Sequence, residues 1–270
     1  MNETVIDFKS KQMMQTQTPP DFQPLGCRHC LEANPLNFVI SMAFQPIVDI
    51  RDNSIFAYEA LVRGKDGSGA GEVLSWVNDD NRYTFDQTCR IKAIEWASKL
   101  NIDTRLSINF LPNAVYQPKS CIRATIEASE RFGFDLEKIM FEVTEAEPVR
   151  DPDHLKNIFL EYQNRNFITA IDDFGAGYAG LNLLTHFKPD VIKLDMDLCM
   201  GIANDEIKQS ILIGIFYTAK KLGIEMIAEG IETIEDFNYL KKLGIYLMQG
   251  YLFSKPGFET LPEPDFSFVK

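Results

Sequence analysis

From Phe38 onward, apolar residues recur in two rhythms. Short apolar runs at 42–50, 55–63, 105–110, 138–143, 168–172, 190–194, 225–228 and 246–251 predict β-strands. Several, such as ITAI and EMIA, are continuous, the pattern of strands covered on both faces. Between them, residues 85–100, 121–132, 154–162, 207–222 and 234–243 carry apolar positions at helical spacing. Gly223 and Gly244 stand where the last two helices need a C-terminal cap. No internal repeat is visible. Alternating strands and helices predict an α/β fold, a (β/α)8 TIM-like barrel. The turn DIRDNS between the first two strands has no room for a helix, so the first strand should run antiparallel to the second. The rival architecture is an open doubly wound sheet, but its Gly-rich phosphate fingerprint after the first strand is missing.

The polar residues interrupt these runs at one kind of place. Asn109, Glu142, Asp172, Asp173, Lys193, Asp195, Glu229 and Gln249 all lie at or just beyond strand C-termini, with Glu145 close behind Glu142. Glu59 and Arg63 lie toward the end of the second strand. In a barrel these ends converge on the face where active sites form. Glu59, Glu142, Asp172, Asp173 and Glu229 would repel one another if held together without cations. Hard divalent ions such as Mg²⁺ or Mn²⁺ take oxygen ligands and relieve that repulsion. Adjacent Asp172 and Asp173 could serve two ions, and Lys193 and Arg63 suit phosphate oxygens. Taken singly, each carboxylate reads as a solvated loop residue, and the Asp pair as a helix N-cap. Their coincidence at matching strand ends favours a site.

Composition narrows the classes. The chain has 270 residues, a formal charge of −12, 45% hydrophobic and 24% charged residues. Such a balance fits a globular core and disfavours binding to a nucleic-acid polymer. Five cysteines, an odd number, point to a reducing compartment rather than a disulfide framework. The N-terminus lacks the apolar core of a signal peptide, and no run is long enough for a membrane span, so a cytoplasmic location is expected. Residues 1–35 are polar and aperiodic and read as a flexible N-terminal arm ahead of a domain at 36–270. Cys27, His29 and Cys30 in that arm could contribute to a Zn or Fe site, completed by a second copy of the chain, or form a redox pair.

At these residues the sequence resembles the EAL-domain family, the bacterial phosphodiesterases of cyclic di-GMP. The naming motif stands as Glu59-Ala60-Leu61 within YEALVRG. FQPI at 44–47, SINF at 107–110, FEVTE at 141–145, DDFGAGYAGL at 172–181, IKLD at 192–195, AEGIET at 228–233 and QGYLFSKP at 249–256 follow the family order. The resemblance implies a barrel with an antiparallel first strand and metal-dependent hydrolysis of cyclic di-GMP to linear pGpG, with two Mg²⁺ or Mn²⁺ ions per site. It implies that Glu59, Asn109, Glu142 and Asp172 hold one ion, and that Asp172, Asp173 and Glu229 hold or flank the other. Lys193 and Gln249 would stand near the attacking water, Arg63 near substrate phosphate, and Glu145 would anchor the Gly-rich loop. Gln45, Leu61, Asp195 and Tyr251 would line the substrate pocket. Ala179 departs from the family's usual Ser, removing a hydroxyl that could hydrogen-bond Glu145. A homodimer is expected, with regulation by the arm, by dimerisation, by a protein partner or by expression level. The alternative function is a catalytically inactive cyclic di-GMP receptor that signals through a partner.

Overall fold

The computed structural model describes residues 35–144, 151–176 and 180–269. The expectations for Cys27, His29, Cys30, Glu145 and Ala179 fall outside them. The strands are β1 (Ile40–Asp49), β2 (Ser54–Gly64), β3 (Arg105–Asn109), β4 (Ile139–Thr144), β5 (Ile168–Phe174), β6 (Val191–Leu194), β7 (Glu225–Ala228), β8 (Leu247–Met248) and β9 (Gly257–Phe258). β2 to β8 run parallel in sequence order. β1 lies antiparallel to both β8 and β2 and closes the ring. The result is an eight-stranded α/β barrel with an inverted first strand, the architecture expected from the sequence; β9 adds a short antiparallel pairing to β1 at Ala43 and Phe44.

Helices α1 (Ala70–Ser75), α2 (Arg82–Lys99), α3 (Pro118–Cys121), α4 (Arg123–Phe132), α5 (Pro152–Gln163), α6 (Gly180–His186), α7 (Met196–Cys199), α8 (Glu206–Leu222) and α9 (Ile234–Leu243) fill the connections. Gly133, Gly223 and Gly244 end α4, α8 and α9 in the left-handed conformation, which spares them a Cβ penalty. The short helices α1, α3, α6 and α7 were not visible as periodicity, because four to seven residues contain too few turns to establish a repeat. The last strand was expected over 246–251 but pairs only at Leu247 and Met248. His154 is half-buried and its Nε2 lies 2.6 Å from the Val115 carbonyl oxygen.

Two apolar regions hold the barrel. The larger lies between strands and helices and includes Phe44, Phe141, Phe159, Phe174 and Phe237. The smaller fills the inside of the barrel with Ile47, Ala57, Met140, Ala170, Val191, Ile227 and Leu247. Gly250 is placed by a separate constraint: a Cβ there would sit 2.1 Å from the Ile231 carbonyl oxygen and 2.3 Å from its nitrogen. Only glycine lets the chain after Gln249 pass the β7 connection, and the Ile231 N–H donates to the Gln249 carbonyl at 3.1 Å. Gly250→Ala should therefore cost about 1–3 kcal/mol of stability through backbone displacement. Chemical denaturation would read this as a lower midpoint at unchanged slope; a wild-type midpoint would refute the close-approach argument.

Candidate active site

Strand alternation builds the site. Side chains two residues apart on a strand share a face. Ala57, Met140, Ala170, Val191 and Ile227 of the apolar floor are each followed, two residues on, by Glu59, Glu142, Asp172, Lys193 and Glu229. Leu247 is likewise followed by Gln249, and on the inverted β1 Gln45 precedes Ile47 by two. The floor of the barrel is apolar and the layer above it is charged. Gln45 and Glu59 are register partners across β1 and β2, as are Asn109 and Glu142 across β3 and β4.

Asp173 would point away from Asp172 in a regular strand. Here β5 bulges: Ile171 pairs with Ile192 and Phe174 with Leu194, so Asp172 and Asp173 together face the single residue Lys193. Asp173 adopts a positive φ of 53°, which aspartate tolerates better than most residues. Both carboxylates consequently border one cavity of about 270 Å³, together with Gln45, Glu59, Lys193, Glu229, Gln249 and Tyr251. The helix-cap alternative for the Asp pair is thereby answered: they end a strand.

Lys193 is 1% exposed and surrounded by carboxylates. Its Nζ lies 2.7 Å from Glu229 Oε1, 2.9 Å from Glu142 Oε2, 3.1 Å from Asp172 Oδ1 and 3.5 Å from Glu59 Oε2. Burial opposes its charge, but these four neighbours hold the ammonium well above its ordinary range. Burial pushes the Glu142 carboxyl up to about 8; Lys193 opposes the rise, Glu59 and Asp172 add to it, and the Ser107 hydroxyl, which donates to Glu142, opposes it. Burial likewise raises Glu229 well above the usual carboxylate range.

Oxygen ligands converge in two groups. Ligand atoms of Glu59, Glu142 and Asp172 lie within 4.8 Å of one another, and so do those of Asp172, Asp173 and Glu229. Asp172 belongs to both. Its Oδ1 is buried and accepts no hydrogen bond despite the nearby Lys193 charge. The donor set consists of hard oxygens and fits divalent cations such as Mg²⁺, Mn²⁺ or Ca²⁺. Asn109 Nδ2 donates to Glu59 Oε1 at 2.9 Å, which orients its amide beside the first group. Gln249 Nε2 donates to Glu59 Oε2 at 2.8 Å and Gln45 Oε1 at 3.1 Å, while its own Oε1 is buried without a partner.

Other expected residues sit at the margin. Arg63 is half-buried, donates to the Val62 carbonyl at 2.8 Å and does not border the acidic cavity. Leu61 and Asn109 border a neighbouring apolar cavity of about 210 Å³ beneath α1 and α2. Asp195 caps α7 by accepting the Asp197 N–H at 2.9 Å. The sequence reading missed Ser107 as a partner of Glu142, and Met196 and Glu232 as cavity walls. Ser107 was discoverable, since it shares a strand face with Asn109. Larger clefts of about 630 and 670 Å³ open near the starts of β7 and β5, but neither gathers carboxylates.

Between pH 4.5 and about 8 the folded, metal-free protein retains a proton on Glu142 that an ordinary glutamate has lost. The native state therefore binds more protons than the unfolded chain, and stability falls as pH rises through that window. A divalent ion held by Glu142 would have to displace that proton, so its apparent affinity should rise over the same window and its uptake should release protons. Metal-free protein should melt at a lower temperature at pH 8.5 than at pH 6. Calorimetric Mn²⁺ titrations in buffers of different ionisation enthalpy should detect the released proton. A melting temperature that climbs from pH 6 to 8.5 would contradict the raised Glu142.

The EAL domain model matches residues 34–256. The blue light- and temperature-regulated antirepressor BluF of Escherichia coli is 31% identical over 221 residues, covering 82% of this chain and 55% of the relative. The cyclic di-GMP phosphodiesterase PdeL of Escherichia coli is 36% identical over 126 residues, 47% of this chain and 35% of the relative. The chain spans about half the length, or less, of these curated relatives. A standalone versatile EAL protein from Vibrio cholerae O395, solved in a c-di-GMP-bound form, is 52% identical with a TM-score of 0.84, covering 87% of this chain and 99% of that one. Klebsiella pneumoniae BlrP1, solved as a manganese/cy-diGMP complex, is 33% identical with a TM-score of 0.79, covering 83% and 58%; a calcium/cy-diGMP complex of the same protein superposes equally well. Among the described residues no helix is long and apolar enough to cross a membrane. With the inverted first strand, the carboxylate-lined end of the barrel and a family match over most of its length, the chain belongs to the EAL domain family.

Proposed function

We propose that residues 36–270 act as a cytoplasmic phosphodiesterase unit that hydrolyses one phosphodiester bond of cyclic di-GMP, giving linear pGpG, with two Mg²⁺ or Mn²⁺ ions. The observation that carries this reading is the pair of oxygen triads sharing Asp172. Glu59, Asn109, Glu142 and Asp172 would hold one ion; Asp172, Asp173 and Glu229 would hold the other. Bound there, such ions supply Lewis-acid polarisation of the phosphoryl oxygens and a nucleophilic water near neutral pH.

The chain's own groups divide the remaining work. Lys193 stays an ammonium among its carboxylates, so it donates and stabilises negative charge rather than accepting a proton. Gln249 has an unpartnered buried Oε1 that can accept from the attacking water and hold its orientation. Gln45, itself tied to the Ser254 carbonyl at 3.1 Å, fixes the Gln249 amide. Arg63 would pair with a substrate phosphate. Leu61 and Tyr251 offer apolar surface for the bases, and Asp195 sets the start of α7 so that Met196 borders the cavity. Homodimerisation is part of this reading: Ile207, Ile211 and Tyr217 of α8 are exposed apolar surface that a second copy would cover.

Purified protein with Mn²⁺ should convert cyclic di-GMP to pGpG, followed by chromatography. Glu59→Ala and Asp172→Asn should each lower turnover at least ~100-fold, beyond the range typical of removing an outer-sphere partner. Lys193→Ala should lose turnover while keeping Mn²⁺-supported substrate binding, and Ca²⁺ should support binding with little hydrolysis. Substantial hydrolysis in excess EDTA, or by Asp172→Asn, would sink the two-ion account. Tight binding by the wild-type protein without turnover in any divalent metal would instead establish the inactive receptor.

A further inference from the structure

A second charge is buried behind the barrel wall at β3 and β4. Arg90 on α2 is 0% exposed, and Asp86, one turn earlier, is 2% exposed. Arg90 Nε lies 2.8 Å from Asp86 Oδ2, and Nη1 donates to the Tyr162 hydroxyl at 2.8 Å. Nη2 has no hydrogen-bond acceptor among the described residues. The guanidinium instead stands over three rings, 5.3 Å from Phe110, 5.0 Å from Phe141 and 5.8 Å from Tyr162. Asp86 Oδ1 reaches the barrel directly by accepting the Leu111 N–H at 2.9 Å.

The positions of these contacts along the strands give them meaning. Phe110 follows Asn109, and Phe141 precedes Glu142. Alternation sends each phenylalanine outward as its neighbour points to the mouth of the barrel. Asn109 and Glu142 are register partners, and the Phe110 N–H donates to the Glu142 carbonyl at 2.9 Å. The Arg90–Asp86 pair thus grips the outer side of two strand ends whose inner side carries two ligands of the same oxygen group. Outside α2, the polar contacts of the pair run to Tyr162 and Leu111, on the β3–β4 side, and not toward β7. A buried ion pair is a poor way merely to fill a core, since apolar replacements of similar volume are often neutral or stabilising.

We infer that Arg90 and Asp86 are a positioning pair for the divalent-ion site that Glu59, Asn109, Glu142 and Asp172 would form, holding β3 and β4 in the alignment that this site requires. The inference rests on the two-ion reading above. Arg90 and Asp86 touch neither ion nor substrate; they act through Phe110, Phe141 and Leu111.

The test uses the full chain and Mn²⁺ alone, without substrate, followed by calorimetry and by electron paramagnetic resonance of free Mn²⁺. Wild-type protein should show two sites, one of which Glu229→Gln abolishes. The double variant Asp86→Leu/Arg90→Met fills the core with apolar atoms but removes the clamp. Folded double variant should lose at least ~10-fold affinity at the site that survives Glu229→Gln, while the other stays within ~2-fold. Arg90→Lys, which keeps the charge but not the planar fork, should not restore that affinity. If the double variant does not fold, Tyr162→Phe carries the test, with a selective loss of ~3-fold expected at the same site. Unchanged affinities at both sites, or equal losses at both, would overturn the positioning role in either variant. Wild-type protein that binds no Mn²⁺ would remove the two-ion reading itself, and this inference with it.

Discussion

A closed barrel admits a side chain from every second residue of each strand, and space inside it is short. In this protein one interior layer is filled with Ile47, Ala57, Met140, Ala170, Val191, Ile227 and Leu247. Those side chains occupy the volume that water would need to reach the charges from below. The next layer up therefore titrates and pairs in a dry, one-sided environment. Burial is the largest influence on Glu142, Lys193 and Glu229 alike, and it is imposed by strand geometry before any particular charge is considered. On the regular strands a polar residue one position earlier or later would face the helices instead; only the bulge in β5 brings two consecutive residues, Asp172 and Asp173, to the cavity.

Gathering Glu59, Glu142, Asp172 and Glu229 around that floor is unfavourable unless positive charge joins them. Lys193 supplies one unit, at 2.7–3.5 Å from all four. One ammonium cannot balance four carboxylates, and the remainder is relieved by proton retention, as the raised Glu142 and Glu229 indicate. Divalent cations would balance these carboxylates more completely than lysine and protons do, which is why the arrangement suits a metal centre. Lys193 sits at the seam of the two oxygen triads, opposite the β5 bulge that presents Asp172 and Asp173.

How far the sequence revealed this depended on the range of the interaction involved. The strands, the long helices and the inverted start of the barrel were readable because their periodicity extends over many residues. The inward residues Glu59, Glu142, Asp172, Lys193, Glu229 and Gln249 were readable because each interrupts or ends an apolar run. Asp173 was readable as chemistry but not as geometry, since only the pairing of β5 with β6 shows that two residues oppose one. Ser107 was readable as an inward position, since it shares a strand face with Asn109, but its partnership with Glu142 shows only once β3 and β4 are placed side by side. Asp195 and Arg63 were readable by their places near strand ends, and Arg63 by its charge, while their places in a substrate site followed from the resemblance; the local structure gives both immediate backbone partners.

The bulge at Asp172 and Asp173 shows how the scaffold and the site constrain each other. Holding a non-glycine residue at φ 53° costs on the order of 1–3 kcal/mol, and a regular strand would avoid it. A regular strand would also turn Asp173 away from the cavity and leave Asp172 and Glu229 without a third oxygen ligand. Phe174 regains the ladder immediately beyond the bulge by pairing with Leu194, and its ring is buried at 1% exposure. The strain is confined to two residues and fixed on both sides by apolar packing, at Ile171 below and Phe174 above. Strain so localised persists because the surrounding core over-determines the backbone, and the gain it permits is a second group of oxygens that shares Asp172 with the first.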